Sequence, residues 1–344
     1  MKKFLMIFAV ALMCAACGSK DDPTPTPEPT SQYDVYIAGF INNESGNSVA
    51  TLWKNGIAQN LSNGTHNTEA NSVYVSGSDV YVAGHESNGS RYVAKLWKNG
   101  VVQNLSVETN NAEARSVFVS GSDVYVAGYE HNGSSTIVAM LWKNGVAQKL
   151  SDGTNNAEAR SVFVSGSDVY VAGYESNGSR YVAKLWKNSV AQNLSNGTNN
   201  GYAISVFVSG SDVYVAGHES NGSRYVAKLW KNGVAQELSD GTNNAYTYSV
   251  FVTGTDVYAT GSESNGNRNV AALWKNGVAQ KLSDGTNNAY ANSVFVLGSD
   301  IYVAGFEDSE IINVATLWKN GVAQQLNGET SFSSALSVFV VQSN

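Results

Sequence analysis

One short phrase, repeated seven times, limits what this chain can fold into more than anything else in it. Leu52-Trp53-Lys54-Asn55-Gly56 recurs around Trp97, Trp142, Trp186, Trp230, Trp274 and Trp318, with Ser189 in the glycine's place in one copy. All seven tryptophans of the chain therefore sit on equivalent positions, separated by steps of 44, 45, 44, 44, 44 and 44 residues. A fixed period of this size marks an array of supersecondary units that bury their apolar faces only against one another. The repeat runs from about Tyr33 to the end of the 344-residue chain and overrides the two-domain expectation that length alone would give.

Within one repeat the strand signals are local. Ser161-Val162-Phe163-Val164 is a short β-branched and aromatic run that turns through Ser165-Gly166-Ser167 into Asp168-Val169-Tyr170-Val171-Ala172-Gly173. Residues 181–186 read as a third strand and 190–194 as a fourth, joined across Lys187-Asn188-Ser189. Most other copies have Asn-Gly at that turn, where glycine supplies the positive φ of a tight hairpin. Four strands in about 44 residues, with no helical period, is the pattern of a propeller blade. The first two strands are apolar on both alternating faces and must be covered on both sides. The penultimate residue of the fourth reads Asn60, Asn104, Lys149, Asn193, Glu237, Lys281 and Gln325, which marks a solvated outer edge.

The ends of the array predict how it closes. The repeats begin at a second strand, Asp34-Val35-Tyr36-Ile37, and finish at a first strand, Ser337-Val338-Phe339-Val340. The last strand then completes the first blade, which gives an all-β, seven-bladed β-propeller of four-stranded antiparallel blades with no exposed sheet edge at the seam.

Residues 1–32 have a different character. Lys2 and Lys3 precede an apolar run from Phe4 to Met13, too short for a transmembrane helix at roughly 20 residues and suited to a secretory signal. Cys14-Ala15-Ala16-Cys17 resembles the lipobox of bacterial lipoproteins, with Cys14 standing where leucine is usual. That resemblance implies a signal peptide over residues 1–16 and lipidation of Cys17. Residues 17–32 hold all four prolines, Pro23, Pro25, Pro27 and Pro29, and read as an extended tether. Lys20-Asp21-Asp22 resembles the export signal of some Bacteroidota lipoproteins, which implies display on the outer membrane, facing outward. Both cysteines lie within the first 17 residues, so no disulfide is expected in the propeller. The net charge of −7 argues against a nucleic-acid partner. A monomer is expected, touching the membrane only through its anchor.

The pattern Ala183-Lys184-Leu185-Trp186-Lys187-Asn188, followed by a leucine, a polar loop and Val-Tyr-Val-Ala-Gly, resembles the HAF-type extracellular repeats of bacterial surface and secreted proteins. The resemblance covers residues 33–344 through a handful of positions per copy, and it implies an extracellular propeller-like array without a defined activity. WD40 and kelch repeats are similar in architecture only, since their Trp-Asp and Gly-Gly signatures are absent.

Function is sought on the face that varies. The seven tryptophans are expected to wedge between blades rather than to serve as sugar platforms. The lysines that follow them, from Lys54 to Lys319, are expected to keep exposed turns soluble. The opposite face carries the loop entering each first strand. Three residues before that strand's serine stand Glu69, Glu113, Glu158, Tyr202, Tyr246, Tyr290 and Ser334, and directly before it Asn71, Arg115, Arg160, Ile204, Tyr248, Asn292 and Leu336. An acid-and-arginine sector (Glu113, Glu158, Arg115, Arg160) thus faces a tyrosine sector (Tyr202, Tyr246, Tyr248, Tyr290) across the channel mouth. Rigid amphipathic tyrosines beside charge suit a glycan or protein ligand. The alternative is a polysaccharide-degrading enzyme, hydrolase or lyase, in which Glu113 and Glu158 supply paired carboxylates. No metal site is expected, because His66, His85, His131 and His218 have no ligand spacing, and no cofactor motif is present. Asp152-Gly153-Thr154-Asn155-Asn156 lacks the alternating acids of a calcium loop and reads as a turn.

Overall fold

A computed structural model of the chain describes residues 33–133, 136–309, 311–328 and 331–343. The signal peptide, Cys17 and the tether lie outside the described residues. Among those described there are 28 strands and no helix. The strands form seven four-stranded antiparallel sheets, each with its strands in chain order, except the sheet that contains the seam. We number the blades from that seam. Blade 1 combines Tyr33–Asn42, Ser48–Lys54 and Ile57–Asn60 with the last strand, Ser333–Gln342, on its inner side. Blades 2 to 7 begin at Thr68, Ala112, Ala157, Gly201, Ala245 and Ala289. The seam is paired from Tyr33↔Gln342 to Ile41↔Ser333, as full a ladder as any within a blade. The expected seven-bladed, C-terminally closed propeller is the observed one.

The tryptophan phrase explains the packing between blades. Every tryptophan is 0 or 1 % exposed. Trp186 sits in one cluster with Val162 and Val171 of its own blade and with Tyr125, Ala127 and Leu141 of the preceding blade. Trp53 repeats this arrangement across the seam, against Tyr302, Ala304 and Leu317. A ring of this size buries about 150–250 Å² and dominates the interface it fills. The outermost strands, such as Val190–Asn193, are exposed along their whole length.

The turn after each tryptophan is a two-residue hairpin in which the asparagines take φ of 49–53° and the glycines that follow 80–83°. One aspartate locks it. Asp168 accepts Asn188 Nδ2 at 2.8 Å and Lys187 Nζ at 2.8 Å, while Asn188 Oδ1 accepts the Val169 backbone N–H at 2.9 Å. The lysine also lies over the Tyr170 ring, 5.2 Å from its centre. All seven blades make the aspartate–lysine pair, at 2.7–2.8 Å. The lysines are therefore not a free ring of charge; each is neutralised within its own blade.

Two closed rings line the axis. Each inner-strand serine hydroxyl accepts a backbone N–H from the next blade, from Ser72 with Val117 round to Ser337 with Val73, at 3.1–3.2 Å. Two residues further along, Tyr74, Phe118, Phe163, Phe207, Phe251, Phe295 and Phe339 make a tilted aromatic ring with centroids 4.7–4.9 Å apart. The seam blade takes its place in both.

Candidate functional site: the channel mouth on the varied face

Just before the serine, every inner strand carries a β-bulge. In blade 4 Ala159 pairs with Gly173 and Ser161 with Ala172, so Arg160 has no partner on the second strand. The same one-residue excess falls on Asn71, Arg115, Ile204, Tyr248, Asn292 and Leu336. The glycine at the end of each second-strand core run, Val-Ala-Gly in five blades, Ile-Ala-Gly39 in blade 1 and Ala-Thr-Gly261 in blade 6, makes the bulge possible. A Cβ on Gly173 would collide with the Glu158 backbone carbonyl, and each of the other six equivalent glycines meets the same obstacle. Glycine is required there by close approach of two backbones rather than by an unusual φ.

The consequence is a ring of unpaired residues over the channel. A cavity of about 340 Å³ is lined by all seven bulge residues, Asn71, Arg115, Arg160, Ile204, Tyr248, Asn292 and Leu336, together with Glu69. Asn71 and Asn292 donate to the Ala114 and Ala335 carbonyls, both at 2.9 Å, and tie adjacent blades across the mouth. The Tyr248 hydroxyl lies 3.3 Å from Ser262 Oγ.

The acid-and-arginine sector is a layered network. Arg115 Nη2 meets Glu113 Oε2 at 2.7 Å and Arg160 Nη1 meets Glu158 Oε2 at 3.4 Å. The Tyr129 hydroxyl donates to Glu113 Oε1 at 2.6 Å. Burial works to raise the Glu113 carboxyl, but Arg115, His85 and the tyrosine hydrogen bond together hold it below the usual carboxylate range. Glu69 goes the other way, pushed up by its own burial and then by the Glu113 charge. Burial drives His85 down to about 4, so at neutral pH its 3.6 Å contact with Glu113 joins a neutral imidazole to a carboxylate.

Of the eight residues expected at the site, Arg115, Arg160 and Tyr248 line the cavity. Glu113, Glu158, Tyr202, Tyr246 and Tyr290 do not. The sequence reading placed these five in a loop, whereas they lie inside the inner strands, opposite Tyr129, Tyr174, His218, Ser262 and Phe306 of the second strands. The strand begins earlier than expected because the bulge absorbs the irregularity that reads as loop.

The tyrosines join a larger assembly that the sequence reading did not single out. Tyr181 and Tyr174 are 5.2 Å apart, Tyr174 and Tyr202 4.8 Å, and Tyr202 and Tyr225 6.1 Å. Tyr225 and Tyr246 follow at 5.3 Å, then Tyr246 and Tyr248, stacked within 7° of parallel at 6.4 Å. His218 packs into the middle, 5.1 Å from Tyr202 and 4.9 Å from Tyr246. A continuous half-buried aromatic track thus crosses blades 4, 5 and 6 and ends in the cavity at Tyr248. Tyr290 stands beside it, stacked on Phe306 at 4.8 Å and accepting Asn269 Nδ2 at 2.6 Å. Tyr174, Tyr181 and Tyr225 were detectable only by aligning second- and third-strand positions between repeats. No group of three metal-ligating side chains occurs among the described residues.

No protein-family model matches the chain, and its sequence matches no curated protein. Its fold is shared with solved structures at low identity. A puromycin hydrolase aligns with a TM-score of 0.61 at 11 % identity, over 86 % of this chain and 52 % of its own. A puromycin-hydrolyzing peptidase of Mycobacterium tuberculosis gives 0.58 at 9 %, over 84 % and 53 %. The chain spans about half the length of these two proteins. The β-propeller domain of the Trilobed protease from Pyrococcus furiosus is covered almost completely, 87 % of this chain and 96 % of that one, with a TM-score of 0.53 at 9 % identity. That domain is described as having an open velcro topology, whereas here the seam is zipped by the last strand. These likenesses establish the propeller fold.

Proposed function

We propose that this chain is a non-catalytic binding protein that holds a glycan on its varied face, with the ligand running along the tyrosine track into the channel mouth. The observation that carries this reading is the continuity of the track: aromatic rings from blades 4, 5 and 6 follow one another in edge-on, tilted and stacked contacts and end at a cavity-lining tyrosine. Rigid aromatic surface with hydroxyl groups suits sugar rings, because little side-chain freedom is lost on binding. Arg115 and Arg160 are each engaged by a glutamate of their own blade, which favours an uncharged glycan over an anionic one. The domain works as a monomer at the cell surface, with residues 1–16 as the leader, Cys17 lipidated and residues 17–32 as the spacer from the outer membrane.

The enzymatic alternative gains one supporting fact, the opposite shifts of Glu69 and Glu113. It fails on access. Only Glu69 lines the cavity, while Glu113 is 8 % exposed and occupied by Arg115 and Tyr129. Two-carboxylate glycosidase chemistry needs both groups on the sugar. A glycan array followed by product analysis separates the readings. Binding of a neutral oligosaccharide without new reducing or unsaturated ends supports the proposal, and turnover overturns it. Replacing Tyr246 and Tyr248 together with alanine is expected to weaken that binding at least tenfold while cooperative unfolding is retained. Retained affinity in the double variant, or capture of a protein and no glycan, rejects the glycan reading.

A further inference from the structure

The repeats carry an internal charge rule, and one blade breaks it. Six blades place an acid at the same second-strand position, Glu86, Glu130, Glu175, Glu219, Glu263 and Glu307; blade 1 has Ile41 there. Beside it lie two facing positions, one on the third strand and one on the fourth. They read Lys95↔Asn104, Met140↔Lys149, Lys184↔Asn193, Lys228↔Glu237 and Ala272↔Lys281 in blades 2 to 6. Each of these five blades has one lysine, on one strand or the other. Blade 1, without the acid, has Thr51↔Asn60 and no lysine. Blade 7 has the acid, Glu307, but Thr316↔Gln325 beside it.

The lysines show what this position holds. Lys95 Nζ sits 2.9 Å from Glu86 and 2.8 Å from Asn104 Oδ1, and Lys184 Nζ sits 3.0 Å from Glu175. Lys228 Nζ bridges Glu237 at 2.8 Å and Glu219 at 3.9 Å. These three side chains are only 12–15 % exposed, so each four-carbon stem is buried in its blade with the ammonium on the acid. In blade 6 the third-strand residue is Ala272, and a cleft of about 330 Å³ opens that Lys281 lines. In blade 7 the cleft is about 350 Å³, its charged and amide lining is Asp284, Asn287, Glu307, Asp308 and Gln325, and among the described residues no lysine or arginine lines it.

We propose that the blade 7 cleft is a binding site for a lysine side chain supplied by a partner polypeptide, whose ammonium takes on Glu307 the place that Lys95, Lys184 and Lys228 take in their own blades. The site lies in the cleft between Asp284 and Glu307, apart from the channel mouth, and does not depend on the glycan reading. Asp284 adds a second carboxylate on the same cleft. Burial and then the Asp284 charge push the Glu307 carboxyl above its ordinary value. A long flexible stem is favoured over an amino sugar, because in the three template blades the ammonium reaches the acid from a backbone position across the full length of a lysine.

Titration of the full chain with Nα-acetyl-lysine methylamide, followed by NMR, tests this directly. Saturable shifts in residues around Glu307 are expected, at least tenfold weaker with Nα-acetyl-norleucine methylamide, which lacks the ammonium. Glu307→Gln is expected to weaken lysine binding at least tenfold, while Glu219→Gln, where Lys228 already fills the position, leaves it unchanged. Thr316→Lys restores the rule in cis and should abolish binding in trans; the half-buried Glu307, changed to Gln, decides the result if burial of residue 316 prevents folding. Equal binding of the norleucine probe, full affinity in Glu307→Gln, or preference for glucosamine over the lysine probe overturns the proposal.

Discussion

The two faces of the ring are built by the same strands, yet their side chains look in different directions. On the turn face the aspartate lock stays inside the blade: Asp168, Lys187 and Asn188 belong to one repeat, and the same trio recurs seven times. On the varied face the contacts cross blades, as Asn71 donates to Ala114 and Tyr174 packs on Tyr202. A contact within a repeat can be copied with the repeat. A contact between repeats, closing around an axis, places seven residues against one shared space, and there difference between copies creates a shaped cavity. Uniformity therefore marks the frame, and variation marks where a ligand can be told apart.

The largest expected effect concerns the frame as a whole. Deleting residues 337–344 removes most of the seam ladder from Tyr33↔Gln342 onward, the last member of the serine ring and Phe339 of the aromatic ring. Both sheets that flank the seam then expose edges and apolar surface. The truncated chain should be insoluble or lack a cooperative thermal transition by calorimetry. An unchanged melt would mean that the ring holds without its closure.

Next in size is a single blade-to-blade wedge. Trp186→Ala should cost about 3–5 kcal/mol, the usual loss for a large buried aromatic, measured by denaturant unfolding. A tyrosine of the track, half-buried and in contact with solvent, should cost clearly less when truncated, so Tyr246→Ala is the matched comparison. If the two losses are equal, the track is part of the frame and not a recognition surface.

How much of this was legible in the sequence follows the same division. Blade count, strand order, closure and the burial of the tryptophans could all be read from the 44-residue period and the turn residues, because these are features that each repeat states for itself. The bulge was not legible. Its only signature is a glycine one strand away, at Gly173 and its equivalents, which meets the inner strand in space and not in sequence. For that reason the sequence pattern places Tyr202, Tyr246 and Glu113 in a loop, and in it the residues that reach the cavity are not separable from those two places earlier. The aspartate of the turn lock was missed because its partners stand about 20 residues on, across the third strand.

Acid should separate the two faces. The seven turn aspartates are held below the ordinary value of 3.8, mainly by hydrogen bonds from lysine and asparagine. A depressed folded-state pKa contributes stability that is present above the unfolded value and lost as pH falls through the folded one. The turn face therefore adds nothing pH-dependent between pH 5 and 8 and weakens below about pH 4. Glu69, raised in the folded state, has the opposite sign: its contribution is intact below the unfolded pKa and is lost as pH rises through the folded pKa. These aspartates are partly exposed and screened by solvent, so each is individually minor and the effect comes from seven together. Calorimetry from pH 7 to 3 should show the melting temperature falling most steeply below pH 4, with Asp168→Asn softening that limb slightly. A limb unaltered by replacing several of the seven would show that the turn lock does not contribute to acid stability.

The smallest effect tests the one flaw in the uniform face. Ser189 occupies φ of 67°, where the other six copies have glycine. An L-residue in the left-handed region costs roughly 1–2 kcal/mol. Its hydroxyl recovers part of this by accepting Gln148 Nε2 of the neighbouring blade at 2.8 Å, an exposed bond worth about 0.5–1.5 kcal/mol at most. Ser189→Gly removes both terms and should raise stability by less than about 1 kcal/mol, while Ser189→Ala keeps the strain, loses the bond and should lower it. The order Gly above Ser above Ala in chemical denaturation would show that backbone strain outweighs a single contact between blades. Glycine falling below serine would reverse that, and would make Ser189 the one place where the turn face, too, works between repeats.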